Sequence, residues 1–150
     1  MPRRRAAVER DDLPNTKISE ALIAFVEPVF ERFPPRGLKD VENGFMFAVM
    51  AWNAVIFEDA GQAKPLEDVR RALRAAYPRE EFPIALFESL VDRKRLAFAH
   101  DRRAIGECNV RLDERGINVQ ATGHLSPPRQ GSPTWLPLLG HDRLAKFEGL

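Results

Sequence analysis

A single cysteine, Cys108, occurs among the 150 residues of the chain. An internal disulfide bond is therefore excluded, which favours a reducing compartment, and we expect the protein to be cytoplasmic. The first fifteen residues, MPRRRAAVERDDLPN, lack the apolar core of a signal peptide, because charges and prolines interrupt them. The formal net charge is only +1, so the chain as a whole shows no electrostatic preference for an acidic partner.

Short catalytic and phosphate-binding motifs are also missing. The sequence has no G-x-x-x-x-G-K-S/T phosphate loop, no G-x-G-x-x-G, no H-E-x-x-H, no C-x-x-C and no G-x-S-x-G. We therefore predict no catalytic residues and no cofactor, and we favour a function without enzymatic chemistry.

Histidines are few, and two of the three precede an aspartate, as His100-Asp101 and His141-Asp142. Metal-dependent phosphohydrolases use such His-Asp pairs, but a divalent ion needs several further ligands that converge on it. Those ligands are not evident in the sequence, so no metal ligand is predicted. A metal-dependent hydrolase that uses the His-Asp pairs is the third of three functional hypotheses.

The longest apolar run, residues 44–57, reads GFMFAVMAWNAVIF and contains Asn53 as its one polar side chain. The run is shorter than the ~20 residues that cross a bilayer, and we expect no membrane partner. It is longer than a strand of about 5 to 6 residues, and it predicts a helix over residues 38–58 that is buried on all sides. Asn53 needs hydrogen bonds there, either within the fold or across a subunit contact.

Three further helices and a hairpin complete the predicted fold. Apolar residues at spacings of three and four predict a first helix from about Ile18 to Phe33, with a kink or an early end at Pro28. Pro65 is suited to the first position of a third helix, and a fourth spans about residues 79–99. After residue 101 the apolar period becomes two, which predicts a β-hairpin over about residues 104–122.

One hairpin register places all its apolar residues on one face. It pairs Leu112 with Ile117, and the pairs Val110–Val119 and Cys108–Ala121 follow from it. Cys108 is then a buried small hydrophobe rather than a nucleophile. Since a lone hairpin is barely stable in water, we expect it to lie on the helices or to pair with another sheet edge.

The predicted domain organisation has three parts. Residues 1–14 form a disordered arm, 15–122 form the helical domain with its hairpin, and 123–150 form a proline-rich extension. Trp135, Leu136, Leu138 and Leu139 are too apolar for a free tail, so we expect the extension to pack on the domain or on a partner subunit. These four residues are the predicted protein-binding site of a homodimer or of a complex with another protein.

A basic stretch supports the second functional hypothesis, a nucleic-acid-binding regulator. Residues 93–103 contain five basic side chains that could meet phosphates: Arg93, Lys94, Arg95, Arg102 and Arg103. Aromatic residues for base stacking are scarce in this stretch, and basic residues also suit a helix C-terminus. A solvated helix end is therefore the favoured explanation of the stretch, and nucleic-acid binding is the alternative.

Two stretches resemble small bacterial proteins of unassigned function. The first, FAVMAWN, runs from Phe47 to Asn53, and the second combines Arg93-Lys94-Arg95 with Asp101-Arg102-Arg103 before a strand. The resemblance covers about residues 38–112 and implies a helical body followed by strands, without an activity or a cofactor. Taken together, the sequence predicts a mainly α, α+β fold with a four-helix core, and a protein-binding or self-associating module.

Overall fold

A computed structural model describes residues 17–125, in which four helices precede a two-stranded antiparallel sheet. The elements in chain order are α1 (Ile18–Arg32), α2 (Leu38–Asp59), α3 (Pro65–Ala76), α4 (Phe82–Ala97), β1 (Ala104–Asp113) and β2 (Gly116–His124). The predicted fold class, a four-helix core with a hairpin after it, is confirmed. The predicted N-terminal arm and nearly all of the proline-rich extension lie outside the described residues.

The central position of α2 follows from its composition. Fifteen of its residues are buried, and it contacts α1, α3, α4 and β1. Trp52, Phe45 and Phe57 are among its fully buried side chains, so apolar surface is removed from water on every side of the helix. Gly44 lies directly against the ring of Phe30 on α1, which leaves no room for a Cβ atom. No helix within residues 17–125 combines the length and the apolarity that crossing a bilayer requires.

The other helices each bury one stripe against α2. Ile18, Leu22, Phe25, Val26 and Val29 form the buried stripe of α1, as their spacing predicts. The expected early end at Pro28 is wrong, because α1 continues through this proline to Arg32. The fourth helix is shorter than predicted, beginning at Phe82 and ending at Ala97.

Local chemistry sets the ends and the pairing of α3 and α4. Pro65 occupies the start of α3, where its missing N–H removes no helical hydrogen bond. Arg70 of α3 forms a two-pronged ion pair with Glu88 of α4, which raises the pKa of the guanidinium and lowers that of the carboxyl group. This pair fixes the two helices side by side.

The hairpin has the predicted register. Leu112 pairs with Ile117, Val110 with Val119 and Cys108 with Ala121, with an irregularity between Ile105 and Cys108. Gly116 closes the turn with a φ of +116°, a conformation that other residues rarely adopt. Burial is graded along the hairpin: Ala104 and Ile105 are buried at its base, whereas Leu112 and Ile117 near its tip are 46% and 40% exposed. Val119, halfway along the hairpin, is still buried, so the helices cover the base and part of the middle but not the tip.

Candidate functional site: a buried polar junction and the cleft beside it

Trp52 and Asn53 of α2 form hydrogen bonds with the connection between α4 and β1 and with the start of β1, residues 98–105, which we call the junction. The indole Nε1 of Trp52 donates a hydrogen bond to the carbonyl oxygen of Arg103 at 2.7 Å. Asn53 accepts from the N–H of Ile105 at 2.7 Å and donates to the carbonyl oxygen of the same residue at 2.9 Å. The predicted partner of Asn53 within the fold is thereby confirmed. Its side-chain amide bonds the N–H and the carbonyl oxygen of Ile105, as the backbone of a neighbouring strand would.

Lys94, in the last turn of α4, holds the other end of the junction. Its side chain is buried, and Nζ donates to the carbonyl oxygens of Phe98 and Asp101, both at 2.7 Å. Nζ also lies 4.4 Å from the centroid of the Trp52 ring, within range of a cation–π interaction. Loss of water around the ammonium group lowers its pKa to about 8, although the charges of Asp101 and Asp59 oppose this.

A buried ion pair completes the junction. Arg103 Nη2 lies 2.7 Å from Asp101 Oδ2, and Arg103 Nε donates to Oδ1 at 2.9 Å. Both side chains are buried, with residual exposures of 5% for Asp101 and 9% for Arg103. Such a fork-shaped contact is short and directional, so it fixes the backbone of the loop as well as the charges.

Aromatic rings pack around these polar groups. Phe25 of α1 meets Trp52 edge-on, with ring centroids 5.2 Å apart, and Phe98 lies 5.8 Å from Trp52. Arg93 donates to the carbonyl oxygens of Ala24 and Phe25, and its guanidinium lies over the Phe98 ring. The buried polar groups of the junction are thus partnered inside an aromatic cluster, an arrangement that holds the loop in place.

We expect the contribution of Lys94 to the stability of the protein to increase between pH 8 and pH 10.5, whereas the raised pKa of Cys108 acts in the opposite direction between pH 9 and about 11. The pKa of this ammonium group is about 8 in the folded chain against 10.5 ordinarily, so in this window the unfolded chain binds more protons. This shift corresponds to a gain of at most about 3 kcal/mol. Urea unfolding of the wild type and of Lys94→Met at several pH values checks it: the wild type should gain stability relative to the variant as the pH rises, because the effect of Cys108 is the same in both proteins. A rise of equal size in both proteins would contradict the assignment to Lys94.

A cleft of about 660 Å³ lies beside the junction, between the ends of α2 and α4 and the end of β2. Apolar residues of α2, Val55 and Ile56, form part of its wall, and Ala60 and Ala99 line it farther along. Arg95 and Arg102 add two cations, and Lys94 borders the cleft from the junction. Leu125, the last residue that the structure describes, also lines it and is 65% exposed.

The five basic residues of the nucleic-acid hypothesis do not share one exposed face. Lys94 and Arg103 are buried in the junction, and Arg93 donates hydrogen bonds to two backbone carbonyl oxygens of α1. Arg95 is half exposed and lies within 3.9 Å of Glu58 and 3.8 Å of Asp59. Nucleic-acid binding by this stretch therefore stays a prediction. Of the five residues, only Arg95 and Arg102 are exposed enough to contact a phosphate.

The remaining candidates are placed as follows. Cys108 is partly buried, and loss of water around its thiol raises the pKa to about 11, which disfavours the reactive thiolate. Within residues 17–125, His, Cys, Asp and Glu side chains form no group of three that could hold a metal ion. Trp135, Leu136, Leu138, Leu139 and His141 lie outside the described residues, so their binding roles stay predictions.

Several residues of the junction are predicted from the sequence to be exposed to solvent. Lys94, Asp101 and Arg103 are buried polar or charged residues, and they lie within a charge-rich stretch that looks solvated. One available indication is that the Trp52-Asn53 pair, on a helix buried all round, carries polar groups that must find partners. The stretches 47–53 and 93–103 meet here in space. No family model, curated protein or solved structure matches this chain.

Proposed function

We propose that this protein is a non-enzymatic, protein-binding module that self-associates through the outer edge of β2. The observation that carries the proposal is the composition of this strand. Gly116–His124, GINVQATGH, contains no Asp, Glu, Lys, Arg or Pro over nine residues. Sheet edges in monomeric proteins are commonly protected by charges or prolines, because a bare edge invites another strand to pair with it.

The neighbouring strand provides an internal comparison. β1 carries Glu107, Arg111 and Asp113, so one edge of the hairpin is protected by charges while the other is not. In the described part of the chain the sheet has only these two strands. Backbone-to-backbone hydrogen bonds from other described segments reach neither strand. The outer edge of β2 is therefore the edge at which a further strand is expected.

A second copy of the chain fits this edge by symmetry. Two β2 strands that pair antiparallel are related by a two-fold axis, so each copy contributes the same surface. The result is a four-stranded sheet, which is more stable than an isolated hairpin. It also joins the apolar faces of two hairpins, in which Leu112 and Ile117 are otherwise 46% and 40% exposed.

We expect Gln120→Lys to weaken the dimer by at least about tenfold, a cost of ~1.4 kcal/mol. The new ammonium group lies on the edge strand, where a lysine opposes pairing with another strand. Asn109→Lys is the matched control, because Asn109 is the exposed cross-strand partner of Gln120 and the change in charge is identical. Sedimentation equilibrium of the full chain and of both variants gives the dissociation constants.

Two results would contradict self-association through β2. One is a wild-type chain that stays monomeric up to about 1 mM, the weak limit of a useful association. The other is an equal loss of affinity in both lysine variants, which would assign the effect to charge rather than to the edge. Circular dichroism of each variant verifies that the hairpin change leaves the helical body folded.

A further inference from the structure

The cleft beside the junction has features of a peptide-binding site. We infer that it binds the apolar tail segment, residues 135–139, of the same chain. The segment reads WLPLL and carries no charge. Its proposed site is independent of the β2 edge, since the cleft is lined by the ends of α2 and α4 and by Leu125.

The position where the described chain ends supports this occupant. Leu125 lines the cleft and is 65% exposed, so the chain leaves the described region at the cleft itself. Nine residues, 126–134, separate Leu125 from Trp135. Since an extended chain spans at most about 3.3–3.6 Å per residue, this connection reaches on the order of 30 Å and can return to any point of the cleft.

The chemistry of the cleft matches that of the segment. Ala60 and Ala99 offer exposed apolar wall to leucine side chains, and the largely buried Val55 and Ile56 form its floor. Asp59 also lines the cleft and lies 3.8 Å from Arg95. Arg95 and Arg102 offer guanidinium planes, on which an indole ring stacks favourably. The volume of about 660 Å³ falls within the range of sites that enclose small ligands, and it accommodates Trp135 with one or two leucines.

Attachment to the same chain favours this segment over a free peptide. A short connection gives a local concentration in the millimolar range, so even weak contacts keep the site occupied. Trp135 and the three leucines would otherwise expose a cluster of large apolar side chains to water. Binding of the segment in the cleft would therefore remove the apolar surface of both from water.

Photocrosslinking of the full chain tests the inference. p-Benzoylphenylalanine replaces Trp135, and the labelled protein is mixed with isotopically heavy chains, so that mass spectrometry separates crosslinks within one chain from those between chains. We expect crosslinks within one chain to residues of the cleft wall, Val55, Ile56, Ala60 or Ala99. Crosslinks between chains, crosslinks confined to other regions, or none at all would overturn the inference.

A pair of alanine variants provides the matched control. Ala60 and Ala63 are both exposed and three residues apart, but only Ala60 lines the cleft. Ala60→Glu should lower the crosslink yield at least about tenfold, because it places a larger, charged side chain where the apolar segment would lie, and its carboxylate competes for Arg95 and Arg102. Ala63→Glu should leave the yield unchanged. Equal yields in both variants would overturn the inference.

A second readout does not depend on crosslinking. Subtracting the fluorescence of Trp135→Phe from that of the wild type isolates the emission of Trp135, since the other tryptophan is Trp52. We expect this emission to resist acrylamide quenching in the wild type and in Ala63→Glu, and to become quenchable in Ala60→Glu. Quenching in the wild type as strong as in urea would overturn the inference, whatever the state of the dimer.

Discussion

Replacing Asn53 by leucine is expected to destabilise the protein by about 2–6 kcal/mol. Leucine matches the size of asparagine, so little cavity is created, but the N–H and the carbonyl oxygen of Ile105 both lose their partner. Asn53 and Ile105 are 1% and 4% exposed, and water cannot replace the lost bonds without opening the core. An unsatisfied buried backbone group costs roughly 1–3 kcal/mol, and this substitution leaves two.

Urea unfolding followed by circular dichroism measures this loss, and Asn109→Leu serves as the control because Asn109 is exposed on β1. The control should change stability by less than about 0.5 kcal/mol. Amide hydrogen exchange adds a local readout: the Ile105 N–H should exchange much faster in Asn53→Leu than in the control. An unchanged Ile105 amide and an unchanged urea midpoint would show that the Asn53 contact contributes little.

The helices and the hairpin register could be predicted because each rests on a local pattern. The period of apolar residues in α1 and α3 reproduces their buried stripes, and the all-apolar run in α2 reproduces its central position. In the hairpin, the register closed by the turn at Gly116 gathers Val110, Leu112 and Val119 on one face, and a slip by one residue would separate them, so the pairing could be predicted from the sequence. How far the helices cover that face depends on tertiary packing, which no local pattern contains.

The junction could not be predicted for the same physical reason. The partners of Lys94 and Arg93 are backbone carbonyl oxygens, which every residue possesses and no sequence pattern distinguishes. Arg93 and Ala24 are 69 positions apart, and they meet only when α1 packs beside α4. Composition predicts that such charged side chains are solvent-exposed, whereas in the fold they donate hydrogen bonds to backbone carbonyl oxygens.

The ion pair of the junction has an equally large expected effect. We expect Asp101→Ala to destabilise the protein by about 3–5 kcal/mol, because Arg103 then keeps its charge in a buried site without the carboxylate. The backbone carbonyl oxygen of Asp101 still accepts from Lys94, so the loss reports on the side chain alone. Urea unfolding measures it, with Asp92→Ala as the control for removing an exposed carboxylate from the same region.

A double-mutant cycle separates the strength of the pair from the cost of leaving the buried Arg103 guanidinium without the Asp101 carboxylate. Asp101→Ala combined with Arg103→Met removes both charges, and methionine retains much of the apolar stem of arginine. We expect the double variant to be more stable than Asp101→Ala alone by about 1–3 kcal/mol, since the buried guanidinium is gone. If the losses simply add, each side chain stabilises the junction independently, and the buried pair is not what holds the loop between α4 and β1.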